Sequence, residues 1–265
     1  LPPGAGEEMV SLTDVDVSEP ASTVKICFIH HSTGSAWISS GGLVEALNEN
    51  DYYATETDYG WDAEPDDDLG SHTDTSDWPD WFNDTKMPYV YANTHHEDYT
   101  NVIDDPGGEN EIIMFKSCFP CSEVGDSIDD EKGIYDGLLE YFAAHTDKLF
   151  ILVIPPPEID IESAELTREL SSWLADYEDG WLADYSYGNV FAFDYYNILT
   201  DPNNHHWVKD GNIVHFISDD PEDPFHPNEL YYDSNGDDHP SDEGHQKATD
   251  EFLPILNAVY NNWKN

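Results

Sequence analysis

Five apolar runs, at residues 24–30, 52–58, 111–115, 149–154 and 189–194, punctuate an otherwise polar chain of 265 residues. Runs this short, without in-and-out alternation, suit strands covered on both faces in a parallel sheet. Amphipathic stretches lie between and after them. Residues 43–48 and 163–177 have helical periodicity, and 133–144 aligns Ile134, Leu138, Tyr141 and Phe142 on one face. The last, roughly 241–263, spaces Ala248, Phe252, Ile255, Leu256 and Val259 as a helix would, with Pro254 expected to kink or break it. Strands alternating with helices predict a sheet between two helical layers, with ligands beyond the carboxyl ends of the strands.

The remaining segments divide simply. Residues 1–22, rich in Gly, Pro, Ser, Thr and acids, read as a linker or tail, leaving 23–265 as one domain. Two long insertions interrupt that domain, at about 60–110 and 201–238. Loops of that length usually serve as lids, binding surfaces or assembly contacts. The first carries Trp61, Trp78, Trp81, Phe82, Tyr89 and Tyr91. The second carries His205, His206, Trp207, His215, Phe225, His226 and Tyr231.

Charge changes the picture most. The chain has 57 acidic against 9 basic residues, a formal net charge of −48. Self-repulsion on that scale calls for high salt, bound cations or an assembly that supplies them, so an extracellular, high-salt setting is expected. Nucleic acid and anionic membrane surfaces are excluded as partners, and no run is long enough to enter a bilayer. A homo-oligomer or larger assembly remains compatible with this composition. The chain opens at Leu1 without Met, as a processed or trimmed product would. Acid-rich loops such as Asp66-Asp67-Asp68 are compatible with Ca²⁺, although no EF-hand spacing occurs and no other cofactor is called for. Cys27 reads as a small buried hydrophobe. Cys118 and Cys121 form a C-x-x-C without the second pair that a zinc site would need.

The candidate chemistry lies at the two ends of the domain. Ser32 follows the first apolar run, and His239 precedes the closing helix in Asp237-Asp238-His239-Pro240-Ser241-Asp242-Glu243-Gly244. A parallel sheet would bring such a pair together as nucleophile and base. The competing reading makes Ser32 a helix cap and His239 part of a capping segment. The pairs His30-His31, His95-His96 and His205-His206 suggest metal, but neighbours on an extended strand point to opposite faces and cannot share one ion.

The motifs His30-His31-Ser32-Thr33-Gly34-Ser35, Asp58-Tyr59-Gly60, the run 149–157, 190–194 and His239-Pro240-Ser241 with Gly244 resemble the blocks of the GDSL/SGNH hydrolase superfamily over nearly the whole domain. That resemblance implies a flavodoxin-like three-layer α/β/α sandwich and a serine esterase. Ser32 would attack an ester and His239 would carry its proton, with Asp237 orienting the imidazole. The backbone of Ser32 and Gly60, with Ser117, would face the oxyanion, each donor contributing about 3 kcal/mol. His31, Lys116 and Trp61 would touch substrate. An ester or glycan substrate is expected, such as acetyl groups on an extracellular polysaccharide. The family's acid falls at Gly236 here, and no Asn follows the third strand, so an inactive glycan-binding or structural role is the alternative.

Overall fold

The computed structural model describes residues 8–97, 99–117, 128–157, 161–218, 232 and 239–265, with backbone only at 161–165. After an N-terminal strand β1 (Glu8–Leu12) come β2 (Val24–Ile29), α1 (Thr33–Ser40), α2 (Leu43–Glu49) and β3 (Tyr52–Thr57). Two 3₁₀ turns and the short helices α3 (Trp78–Trp81) and α4 (Met87–Tyr91) lead to β4 (Ile112–Phe115). Then follow α5 (Ile128–Ala144), β5 (Leu149–Val153), α6 (Ile161–Ala175), β6 (Val190–Phe193) and α7 (Tyr195–Thr200). A hairpin, β7 (His205–Lys209) and β8 (Asn212–Phe216), precedes the closing helix α8 (Asp242–Lys264).

The central sheet has order β3-β2-β4-β5-β6, and all four neighbouring pairs are parallel. This is the flavodoxin-like order, in which the chain starts inside the sheet, steps outward once and then reverses. Alternate residues of each strand serve opposite cores. Ile26, Phe28, Ile112, Met114, Ile151 and Phe193 face α1, α2, α7 and α8. Cys27, Ile29, Ile113, Phe115, Leu152 and Ala192 face α3 to α6. The three-layer sandwich expected from the sequence is therefore present, and the five apolar runs are its five strands.

Three expectations are corrected. Residues 8–12 do not belong to a structureless tail: β1 pairs antiparallel with β8, completing a second sheet of order β1-β8-β7. The insertion at 201–238 opens with that hairpin, turned at Asp210-Gly211, where φ is +51° and +79°. Two left-handed residues match a two-residue hairpin turn to the strand twist. His205 and His206 thus lie in a strand rather than a loop. Finally, of the kink or break expected at Pro254 the break is absent, since α8 continues through it. Buried Phe252, Leu253, Ile255 and Leu256 on both sides hold it to the sheet, outweighing the roughly 3 kcal/mol that an internal proline costs.

The insertion at 60–110 is not an open lid. Trp78, Trp81, Phe82, Met87 and Val90 are buried in the core on the α5/α6 side. The scarce basic residues are spent on local ion pairs: Lys25, Lys86, Lys132, Lys148, Lys209, Lys247 and Lys264 each contact a carboxylate. No helix of the described residues is long and apolar enough to cross a membrane.

Candidate active site

The carboxyl end of β2 delivers His30, His31 and Ser32 in succession, and α1 begins at the next residue. Ser32 has φ +50° and ψ −105°, a left-handed backbone for a residue with a Cβ. Such a conformation costs roughly 1–3 kcal/mol and persists only where the surroundings enforce it. Ser32 occupies the N-cap position of α1, yet its side chain makes no cap hydrogen bond. Instead Ser32 Oγ is hydrogen-bonded to Nε2 of His239, 207 positions further along the chain. Both residues are partly exposed. Helix capping therefore does not account for this serine.

His239 is placed by the start of α8. The Ser241 amide donates to the Tyr232 carbonyl at 2.8 Å, and the Ser241 hydroxyl caps the helix by accepting from the Gly244 amide at 3.3 Å. With Nε2 turned to Ser32, Nδ1 is the atom that an orienting acid would engage. Asp237, proposed for that task, lies outside the described residues, as do Cys118 and Cys121.

The loop after β3 forms the adjoining wall. Asp58 Oδ2 accepts from the Ser35 hydroxyl at 2.9 Å, which ties the loop to α1. Gly60 has φ +76°, and a Cβ built there would meet nothing within 4 Å, so the glycine answers a backbone need and not crowding. Among the described residues, no backbone carbonyl accepts from the amides of Ser32 or Gly60. Tyr59 lays its ring on His31 with centroids 4.6 Å apart, and its hydroxyl is 3.0 Å from His31 Nδ1. Burial, helped by the charge of Lys116, pushes His31 down to about 4 against the opposing pull of Asp58. At neutral pH this imidazole is uncharged.

The other expected site residues divide. Lys116, at the end of β4, is fully buried and donates to the Ser117 carbonyl at 3.0 Å. Its charge reaches both His31 and His245. Ser117 is also fully buried. Its Oγ accepts from the Trp78 indole at 2.8 Å and lies 3.1 Å from the Thr75 hydroxyl and 3.0 Å from that of Tyr135. That hydroxyl belongs to the packing between the first insertion and α5. Trp61 stacks on Trp81 at 5.6 Å and donates to Asn93 at 3.3 Å, so one face of its indole is covered. A groove of about 580 Å³ opens beside this region, lined by Asp67, His72, Asp77, Asp80, Asn83 and Lys86. The charge of His72 is felt at His31.

Sequence reading left three buried groups without a partner. His30 is paired with Glu56 inside the protein, Nε2 to Oε2 3.1 Å. His245 is fully buried against Tyr195, whose hydroxyl is 2.7 Å from its Nδ1, and burial pushes it down to about 4. Glu131 on α5 is buried, with the Thr75 hydroxyl beside its carboxyl. No periodicity marks any of them. Among the described residues, no group of three or more His, Cys, Asp or Glu is arranged to hold a metal ion.

No protein-family model matches this chain, and no curated protein matches it significantly. It is similar to a solved structure from Desulfitobacterium hafniense DCB-2, of a protein inferred to be lipolytic and of the G-D-S-L family. Identity is 10%, the match covers 88% of this chain and 100% of that one, and the TM-score is 0.45. The strand order, rather than this likeness, carries the fold.

Proposed function

We propose that the chain is a serine ester hydrolase acting by acyl transfer. The observation that supports this reading most is the partly exposed Ser32 hydroxyl, held in a strained turn, unused as a cap and hydrogen-bonded to the His239 imidazole. Ser32 Oγ would attack the ester carbonyl while His239 Nε2 takes its proton and returns it to the departing alcohol. The acyl-serine would then be released by water activated by the same imidazole. The amides of Ser32 and Gly60 are the candidate donors to the tetrahedral oxyanion. Asp237 is the candidate orienter of His239. Acetyl esters of an extracellular polysaccharide are the proposed substrates, since the groove beside His72 offers hydrogen-bonding side chains over a volume that suits sugar units.

A second reading is a non-catalytic protein of the same fold that binds glycans or builds an extracellular assembly. It is favoured by the side chains after β4: Lys116 is buried, and the Ser117 hydroxyl is engaged elsewhere. A fluorophosphonate probe separates the two. Covalent labelling that maps to Ser32, together with p-nitrophenyl acetate turnover abolished in Ser32→Ala at unchanged thermal unfolding, is the expected result. Folded protein that takes no label, or turnover equal in the variant, would overturn the esterase reading.

A further inference from the structure

His30 takes no part in the acyl transfer proposed above, yet it lies two residues before Ser32 and is fully buried. Its amide continues the sheet by donating to the Thr57 carbonyl at 3.1 Å. Its Nε2 meets Glu56 Oε2 at 3.1 Å, and the other Glu56 oxygen accepts from the Glu97 amide at 2.8 Å. Burial alone would raise the Glu56 carboxyl. The bonds from His30 and the Glu97 amide, with the charges of His30 and His95, outweigh it and hold the group below its ordinary value. The ring cannot swing away without leaving a buried carboxylate short of a partner.

The same imidazole supports the first turn of α1. A Cβ on Gly34 would stand 2.5 Å from His30 Cβ and Cγ and 2.7 Å from Nδ1. The turn rests on the ring at a distance that only glycine permits. Phe28, with its ring centroid 4.4 Å from that of His30, backs it from the core side. The Gly34 amide donates to the His31 carbonyl at 3.0 Å, closing a turn that encloses Ser32. The left-handed serine is thus fixed from below through a chain of contacts: the Glu97 amide, Glu56, His30, Gly34.

From this we infer that His30 and Glu56, with Gly34 seated on them, are positioning residues that set the height and backbone twist of the Ser32 turn and thereby aim its hydroxyl at His239. The inference rests on the esterase reading. Displacing a nucleophile by a fraction of an ångström acts on the chemical step more than on substrate capture.

The test is a cycle of Gly34→Ala, His30→Gly and the double variant, with Glu56→Gln alongside. Each is measured for p-nitrophenyl acetate kcat and KM, fluorophosphonate labelling rate and thermal unfolding. Gly34→Ala is expected to lower kcat and labelling at least about tenfold with KM within about twofold, the pattern of a lost transition-state geometry. Removing the whole side chain, Cβ included, should remove the collision, so adding Gly34→Ala to His30→Gly should cost nothing further. Equal penalties with and without the His30 side chain, or a Gly34→Ala variant with wild-type kcat, would overturn the inference. If Gly34→Ala does not fold, Glu56→Gln decides, because it adds no heavy atoms: kcat reduced at constant KM supports the seat, and unchanged kcat overturns it. Folded wild-type protein without labelling would instead remove the esterase reading, and this inference with it.

Discussion

Thr249 is the joint through which the two halves of the candidate site are held in register, and replacing it should be costly. It sits on α8, ten positions beyond His239, and is 4% exposed. Its Oγ1 accepts from the Trp37 indole at 2.9 Å and donates to the Gly41 carbonyl at 2.7 Å. Trp37 lies in the middle of α1 and Gly41 at its end, so one hydroxyl clips the helix that follows Ser32 to the helix that follows His239. Thr249→Val keeps the shape and deletes the hydroxyl. It leaves a buried indole N–H and a buried carbonyl without partners, at about 1–3 kcal/mol each. The added buried methyl returns about 0.8 kcal/mol. The net expectation is a loss of about 1–5 kcal/mol. Thr249→Ser, which keeps both bonds and loses one methyl group, should lose only about 1 kcal/mol. Urea unfolding in salt that supports the native state measures both, as a shift of midpoint at constant slope. A valine variant within about 0.5 kcal/mol of wild type, or a serine variant as weak as valine, would refute the reasoning.

Two further predictions concern charge. Burial, aided by Asp130 and Asp74 and opposed by the Thr75 hydroxyl, raises the Glu131 carboxyl from 4.5 to about 7. The unfolded chain therefore gives up this proton first, and stability tied to Glu131 is complete below pH 4.5 and declines as pH climbs through about 7. Glu131→Gln should lack that decline, and parallel stability profiles of variant and wild type over this window would contradict it. The formal charge of −48 predicts that the melting temperature climbs between about 0.1 M and 2 M NaCl, well past ordinary screening; a flat response would show that the acidity costs the fold nothing.

How much of this was legible in the sequence varies with the physics behind each element. The five strands were readable because burial on both faces leaves an apolar run with no competing pattern, as in Leu149–Val153. The closing helix was readable from its apolar face, and Pro254 does not break it because local propensity yields to packing on both sides. The β7–β8 hairpin was missed although Asp210-Gly211 is a strong turn signal, since residues 201–238 read as one long polar loop. β1 could not be read at all: five residues among prolines and acids become a strand only because β8 offers an edge. At the site, the pairing of Ser32 with His239 followed from strand order. The seat under Ser32 did not, because His30, Gly34 and Glu56 meet only in three dimensions, and the acid expected after Gly236 falls on residues outside those described.

The ion pairs that fasten this fold have an outward consequence. With seven of the lysines clasped to neighbouring carboxylates, the outer face has almost no positive charge to offer a second molecule. Each copy must carry a cloud of mobile cations held within about 8–10 Å, roughly one Debye length. Crowding copies together compresses those clouds and raises osmotic pressure before any contact forms. An acidic glycan coat would be repelled in the same way unless divalent ions bridged the two, whereas a neutral one would meet no such barrier.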